Sequence, residues 1–416
     1  MSTANLQVNL GPTGLESSLS EVESTMQANV RRFAGTVMRP VGERLDRLTP
    51  EQVIAPDSEL WHVLAESAKL GLTTESLFSL NGHERGRLMP LLFEEFGWGD
   101  AGLACLLGVA TAPWMALYNM GRQDLLALYP EGSRIGCWGL TEPDHGSDMV
   151  DFNGACAVPG GRHSRPNCVV KVEGGDLVIH GQKSAWVSCG PIAQLCVLCT
   201  AYDDGSGELK RCVVLVPLDV KGVTRGKPLD KLGQRTLPQG EIFFDAVRIP
   251  RDHLLAGPDE YDFEVNAMLC EGNALMGSIW LGCARAAYEH ALDYAHQRRQ
   301  GGVPIIQHQS VRQRLFHMFR KIEAARALNQ RACLYNYSSA APALQGSIAT
   351  KVTSTQTAFE VASEAIQMFG GNGITREYPV EKLFRDARPA LIADGCNEML
   401  AIKGGTLLMD HGRLVA

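Results

Sequence analysis

Twice along the chain the apolar residues change period, and no other feature constrains the fold as much. Leu19, Val22, Met26, Val30, Phe33 and Val37 recur every three or four residues, the stripe of an amphipathic helix. Ser18 and Glu21 have capping-box spacing at its start, and Pro40 suits its end. Helical patterns continue over 60–70 and 86–96, and 101–128 reads as a buried helix pair. At Gly132 the text turns to strand candidates at 177–179, 193–200, 212–216 and 241–249, separated by Gly, Asp and Pro clusters such as the turn at 203–207. After Pro250 helical patterns return over 274–300, 307–337, 345–369 and 397–411. Two of these end in the glycine pairs Gly301-Gly302 and Gly370-Gly371, as helix stops do. The expectation is a multi-domain α+β chain with a helical domain over 1–131, a central β-barrel domain over 132–250 and a C-terminal four-helix bundle over 251–416.

At 416 residues and 45% hydrophobic content the chain can bury the cores of two or three domains. The net charge is −7 and no basic stripe interrupts the sequence, which argues against nucleic-acid binding. No apolar run reaches the length of a membrane span. Met1 to Leu6 carry neither the basic nor the apolar region of a secretion signal, so a cytoplasmic protein is expected. The 12 cysteines are scattered, as suits reduced thiols. Cys196 and Cys199 form a CxxC within a strand pattern, where residues three apart point to opposite faces. Two core residues are expected there, not a metal or redox pair.

Several short blocks carry chemistry. Trp138-Gly139-Leu140-Thr141-Glu142-Pro143-Asp144-His145-Gly146-Ser147-Asp148 offers an aromatic face, a hydroxyl and a glycine that lets backbone approach a ligand closely. By itself it also reads as a tight turn between a helical and a β region. Gly181-Gln182-Lys183-Ser184-Ala185-Trp186-Val187-Ser188 follows. Later come Arg298-Arg299-Gln300-Gly301-Gly302, then Gln307-His308-Gln309, then Gln367-Met368-Phe369-Gly370-Gly371-Asn372-Gly373. The last are Glu377-Tyr378-Pro379-Val380-Glu381-Lys382-Leu383, Arg385-Asp386-Ala387, and Ala393-Asp394-Gly395-Cys396-Asn397-Glu398. In this order the blocks resemble the acyl-CoA dehydrogenase family of flavoproteins, and the resemblance spans nearly the whole chain.

The resemblance implies FAD as cofactor and an acyl-CoA as substrate. It puts Trp138, Leu140 and Thr141 around the flavin pyrimidine edge, Ser147 against flavin or the CoA arm, and Trp186 and Ser188 beside the ring. Arg298 would meet the pyrophosphate of a neighbouring subunit's FAD, as a guanidinium suits a diphosphate. Gln309, Gln367, Gly370 and Gly371 would complete that site, which implies a homodimer or homotetramer. Cys396 and Glu398 would close the cofactor site, and Ser147, Asn273, Ala393 and Gly395 would touch substrate. Reoxidation would fall to an electron-transferring flavoprotein. Where many relatives carry an aromatic this chain has Gly301, and where many carry an arginine near the CoA arm it has Asn273.

The base decides the reaction. Dehydrogenating a thioester removes a weakly acidic α-proton while hydride leaves the β-carbon for flavin N5, so a carboxylate must stand at the α-carbon. Relatives keep a glutamate in a Glu-Gly-Thr loop, and this chain has Asp394-Gly395-Cys396 there. Aspartate reaches roughly 1 Å less far, a misplacement that can cost about 100-fold. A loop aspartate that merely caps the next helix is the bland alternative. Glu271 is the runner-up base, one residue from a position that some relatives use. Ala390 and Ala393 leave room for a branched or cyclic acyl group. The stretch 153–167 carries Arg162, His163 and Arg165, most simply solvated loop charges. Two rivals stay open: a CoA-independent oxidase or monooxygenase of the same fold, resembling the nitroalkane oxidases, and a non-redox protein with FAD as scaffold.

Overall fold

A computed structural model of the chain describes residues 19–150, 167–207 and 210–409. Ser18 and the basic loop residues Arg162, His163 and Arg165 lie outside them. Nine helices come first: α1 Glu21–Phe33, α2 Arg39–Leu45, α3 Pro50–Val53, α4 Glu59–Ala68, α5 Thr74–Phe78, α6 Gly82–Gly99, α7 Ala101–Ala110, α8 Ala112–Asn119 and α9 Gln123–Leu128. Eight strands follow: β1 Gly136–Gly139, β2 Val169–Glu173, β3 Asp176–Lys183, β4 Leu195–Asp203, β5 Lys210–Pro217, β6 Val223–Arg225, β7 Ile242–Pro250 and β8 Leu254–Ala256. Then come α10 Tyr261–Gln297, the hairpin of β9 Arg299–Gln300 and β10 Val303–Pro304, α11 Gln309–Ser338, α12 Leu344–Phe369, α13 Val380–Ala390 and α14 Asn397–Leu408.

The element order matches the sequence reading, and several local expectations need correction. The first helix is capped by Ser20 with Glu23, not Ser18 with Glu21. Pro40 does not end it. A π-helical segment, Ala34–Met38, carries the helix through to Leu45, and Arg39 N donates to Ala34 O five residues back. That wider turn absorbs a proline that cannot donate. Segment 101–128 is three helices, and α13 stands between the two last expected helices. Gly301 and Gly302 turn the β9–β10 hairpin beyond the end of α10, whereas Gly370, at φ 59°, does close α12.

In the β region the strands run β6-β7-β3-β2-β4-β5-β8 in one sheet, and β1 joins it off this path. One edge of β4 takes two partners in turn. β1 runs parallel along its first half, Gly136 to Gly139 against Leu195 to Leu198, and β2 along its second, from Val169 against Ala201. The sheet therefore forks at Cys199 and Thr200, and the loop after β1 leaves through the fork. Cys196 and Cys199 face opposite sides of β4, in separate apolar clusters. The Cys199 side is shared with Trp138, Leu140, the start of α10 and Met399 and Leu400 of α14.

α10 packs on α12 and, from the N-terminal region, on α6. Backbones meet at the α6–α10 crossing: a Cβ on Gly97 would lie 2.0 Å from Ile279 O, and one on Gly282 2.1 Å from Glu94 O. Only glycine allows that approach. Beside it Arg285 reaches Glu94 (3.0 Å) and Glu95 (2.6 Å), and Arg326 of α11 reaches Glu94 (2.8 Å), all buried. Among the described residues no single helix is long and apolar enough to cross a membrane. The bent pair α7 and α8, 44° apart, has the length and apolarity, yet it buries Leu103, Leu106, Trp114 and Leu117 in the core. Gly282→Ala should cost on the order of 3 kcal/mol of stability by overpacking this crossing. A thermal melt several degrees below wild type is the expected reading, and an unchanged midpoint would remove the crossing from the account.

Candidate active site

Two lysine-anchored loops form the site. The first leaves the fork of β4. Lys183, fully buried at the end of β3, donates to Glu142 Oε1 (2.6 Å), to Leu140 O (3.1 Å) and to Cys199 O (2.8 Å). Glu142 also accepts from the backbone N–H groups of Asn167 (2.5 Å) and Cys168 (3.3 Å). The pair so satisfies the groups that the fork leaves without ladder partners, as buried polar groups require. A Cβ at Gly139 would crowd Cys196 Sγ and Leu198 Cδ1 on β4, each 3.1 Å away. Just beyond, Ser184 N donates to Thr141 O (2.9 Å), and the Thr141 and Ser184 hydroxyls lie 2.7 Å apart. Trp138 lies on β1 with its Nε1 3.3 Å from Cys199 Sγ. Gln239 Nε2 donates to Ser188 Oγ (3.0 Å) and to Trp186 O (3.2 Å). Trp186 is 60% exposed between buried Ser184 and Val187, so the described residues leave most of its ring uncovered.

The second loop joins α13 to α14. Asp394 and Gly395 are consecutive left-handed residues, at φ 54° and 87°, a turn that is strained at the aspartate. Asn397 N closes the loop on Leu391 O (3.0 Å). Cys396 is the N-cap of α14, without a side-chain cap bond, so Asp394 does not serve as the cap. Its carboxylate is half-buried and has no hydrogen bond or ion pair among the described residues. Burial pushes its pKa up, and the charge of Lys351 opposes the rise. Lys351, fully buried on α12, donates to Gly395 O (2.8 Å) and to Asn397 Oδ1 (2.9 Å). From the first loop, Ser147 Oγ accepts the N–H of Cys396 (2.9 Å). That bond joins the two sequence blocks furthest apart in the chain.

The remaining expected residues fall in three places. Ala393 packs half-buried in the loop between α13 and α14, and Glu398 stands exposed in the first turn of α14. Asn273 is buried on α10; its Nδ2 is committed to Leu269 O (2.8 Å), and its Oδ1 has no partner. Glu271 belongs to another cluster, accepting from Asn119 (3.2 Å) and Tyr337 OH (3.1 Å). Burial raises its pKa, and Arg85 and these two donors hold the rise back. Arg298 caps α10 and Gln309 opens α11 at the end of the bundle where α12 closes through Gln367, Gly370 and Gly371. Tyr294 stacks on Phe369 there at 3.9 Å. Among the described residues, these five make no hydrogen bond to the two loops. The sequence reading gave no role to Glu142, Lys183 or Lys351. The first two lie inside blocks singled out for other residues, Glu142 in the loop after β1 and Lys183 at the end of β3.

The donor set suits a flat, polar-edged heterocycle. Thr141, Ser147, Ser184 and Ser188 supply hydroxyls, the Trp186 indole is mostly exposed, and a Cβ added at Gly146 would meet nothing within 4 Å.

The chain is similar to known proteins in sequence and fold. The family model described as "Acyl-CoA dehydrogenase, middle domain" matches residues 137–247, and "Acyl-CoA dehydrogenase, C-terminal domain" matches 265–404. The mitochondrial short-chain specific acyl-CoA dehydrogenase of Sus scrofa is 30% identical over 398 residues, 94% of this chain and 91% of the relative. The benzylmalonyl-CoA dehydrogenase of Aromatoleum aromaticum is 33% identical over 273 residues, 65% of this chain and 67% of the relative. Among solved structures, glutaryl-CoA dehydrogenase of Mycobacterium smegmatis superposes with a TM-score of 0.81 at 25% identity, covering 96% of this chain and 98% of that one. Butyryl-CoA dehydrogenase of Megasphaera elsdenii gives the same TM-score at 24% identity, with 95% and 100% covered.

Lys183→Met leaves a buried carboxylate uncompensated and should cost about 3–5 kcal/mol. Adding Glu142→Gln should recover much of that loss. Melting temperatures of the two single variants and the double variant check it; strictly additive losses would mean that the pair does not act as a unit.

Proposed function

Because the chain belongs to the acyl-CoA dehydrogenase family, we propose that it is an FAD-dependent enzyme that forms an α,β double bond in an acyl-CoA thioester, with Asp394 as the base. FAD supplies the hydride acceptor for the β-carbon when it is bound. Trp138, Leu140, Thr141, Trp186 and Ser188 border the place for its ring, and Ser147, Cys396 and Glu398 close it. Asp394 takes the α-proton. The observation that carries this reading is the state of that carboxylate: raised in pKa, without a hydrogen bond among the described residues, and tied through Cys396 to the Ser147 turn. Glu271, by contrast, already accepts two hydrogen bonds within its own cluster.

The unpartnered Oδ1 of Asn273 suits an amide N–H, which the pantetheine arm of CoA carries twice. It would act as an acceptor where an arginine would act as a cation. Ala393, half-buried next to Asp394, keeps the acyl side small, whereas Ala390 is buried in the core. Arg298, Gln309, Gln367, Gly370 and Gly371 stand apart from the loops of their own chain and so suit the FAD of a second copy, in a homodimer or homotetramer. An electron-transferring flavoprotein is the proposed electron acceptor. The helical, β and helical stretches 1–131, 132–250 and 251–416 are taken as the domains, with the site between the second and third.

Anaerobic titration with short, branched and cyclic acyl-CoAs should bleach the flavin of the purified protein. Asp394→Asn should slow that reduction at least about 100-fold with FAD still bound, and Glu271→Gln should leave it within a few-fold of wild type. The reverse ranking would make Glu271 the base. In the wild type the reduction rate should fall with acidity through a midpoint above the ordinary aspartate value, because burial raises the pKa of Asp394 and only its ionised form accepts the proton. A rate that stays flat down to pH 4 would contradict a buried aspartate base.

A further inference from the structure

The polar face of α12 lies inside the bundle. Ser347, Thr350, Lys351, Ser354 and Thr355 are all fully buried. Most of that face is hydroxyls, which need only a backbone carbonyl one turn away; Thr355 Oγ1 bonds Lys351 O in that manner (2.9 Å). Lys351 is different. It brings a full charge into the interior, which is costly unless the charge is used. Its hydrogen-bond acceptors are neutral, Gly395 O and Asn397 Oδ1, and it forms no salt bridge among the described residues. A neutral donor would satisfy both acceptors. The positive charge must therefore answer to something else, and the acidic groups around it are Asp394, Cys396 and Glu398.

We propose that Lys351 is the positioning residue of the base: from α12 it clamps the strained Asp394–Gly395 turn and supplies the positive charge that Asp394 faces. The proposal rests on the reading of Asp394 as the base. The clamp is mechanical first. A left-handed pair turns the Gly395 carbonyl toward α12, and the ammonium holds it at 2.8 Å. Asn397 is pinned from the same helix twice, since it accepts from Lys351 (2.9 Å) and its Nδ2 donates to Thr355 Oγ1 (3.0 Å). Ser147 holds Cys396 from the opposite side. The loop can thus present a shorter carboxylate at a fixed height.

The clamp is also electrostatic. Asp394 interacts with Lys351 from α12 and the thiol of Cys105 on α7, and Cys396 and Glu398 at the start of α14 stand with Asp394 around Lys351. Lys351 is the only group of this set that carries positive charge. Burial pulls its own pKa down to about 8, against the pull of Asp394, Cys396 and Glu398, so it is an ammonium at neutral pH. In that state it favours ionised Asp394, and it offsets part of the upward push of burial.

The test is to titrate Asp394 directly. Holoenzyme labelled with 13C at the aspartate carboxyl is compared as wild type, Lys351→Met and Lys351→Arg, with the Asp394 resonance assigned by its loss in Asp394→Asn. Lys351→Met should raise the Asp394 midpoint by about one pH unit or more and move the acid limb of anaerobic flavin reduction by the same amount. Lys351→Arg should keep both close to wild type. An unmoved midpoint in folded, FAD-bound Lys351→Met overturns the proposal. If the methionine variant does not accumulate, Lys351→Gln against Lys351→Arg applies the same criterion, since both can donate and only one is charged. The titration does not depend on turnover. Failure of Asp394 as the base would appear in the reduction rate of Asp394→Asn, and failure of the lysine's role in the carboxyl midpoint.

Discussion

The buried ion pair of Glu142 and Lys183 is the contact on which the rest of the site depends. A strand that changes partners halfway leaves carbonyls and amides without ladder partners, here at Cys199 and around Cys168. Water cannot reach them, so side chains must do the work. A lysine at the end of β3 and a glutamate just after β1 meet that need together, at 2.6 Å and with both side chains fully buried. The consequence is positional. The loop from Leu140 to Ser147 is fixed to the sheet at its start, and Thr141 is held against Ser184. A pair of this kind adds little net stability compared with apolar packing. What it supplies is a single route for the chain out of the fork.

The helical part is fixed by a different means. At the α6–α10 crossing, Gly97 and Gly282 bring backbones into contact, and Arg285 and Arg326 tie α10 and α11 to the glutamates of α6. The N-terminal region is therefore not an appendage, because it sets the height of the helix that carries Asn273. α12 packs on α10 and carries Lys351, so the base loop inherits its position from the same crossing.

The sequence made the order of helices, strands and helices readable because period is a local property. The motif blocks were readable too, and the structure joins the first and last through Ser147 and Cys396. What it hid depends on long-range burial. Trp138 reads as part of a turn, since a four-residue parallel strand shows no alternation that separates it from a loop. Gly301-Gly302 reads as a helix stop, and only the pairing of Val303 with Gln300 makes it a hairpin. Lys351 sits among serines and threonines that imitate a solvent-facing stripe. That face is buried because α10 and the base loop cover it, which no local pattern encodes.

The two loops approach the site from separate bodies, one anchored in the sheet by Lys183 and the other on α12 by Lys351. On the proposed mechanism, proton and hydride leave adjacent carbons, which would require the separation of these loops to be held to a fraction of an ångström. Within one chain the hydrogen bond from Cys396 N to Ser147 Oγ links them directly. An aspartate in place of a longer acid shifts the burden of reach from the side chain to the backbone. A left-handed residue at 394, a glycine at 395 and a buried cation beneath them are the features that set the height of that backbone. The short acid at 394 and the strained, clamped turn therefore belong to one arrangement.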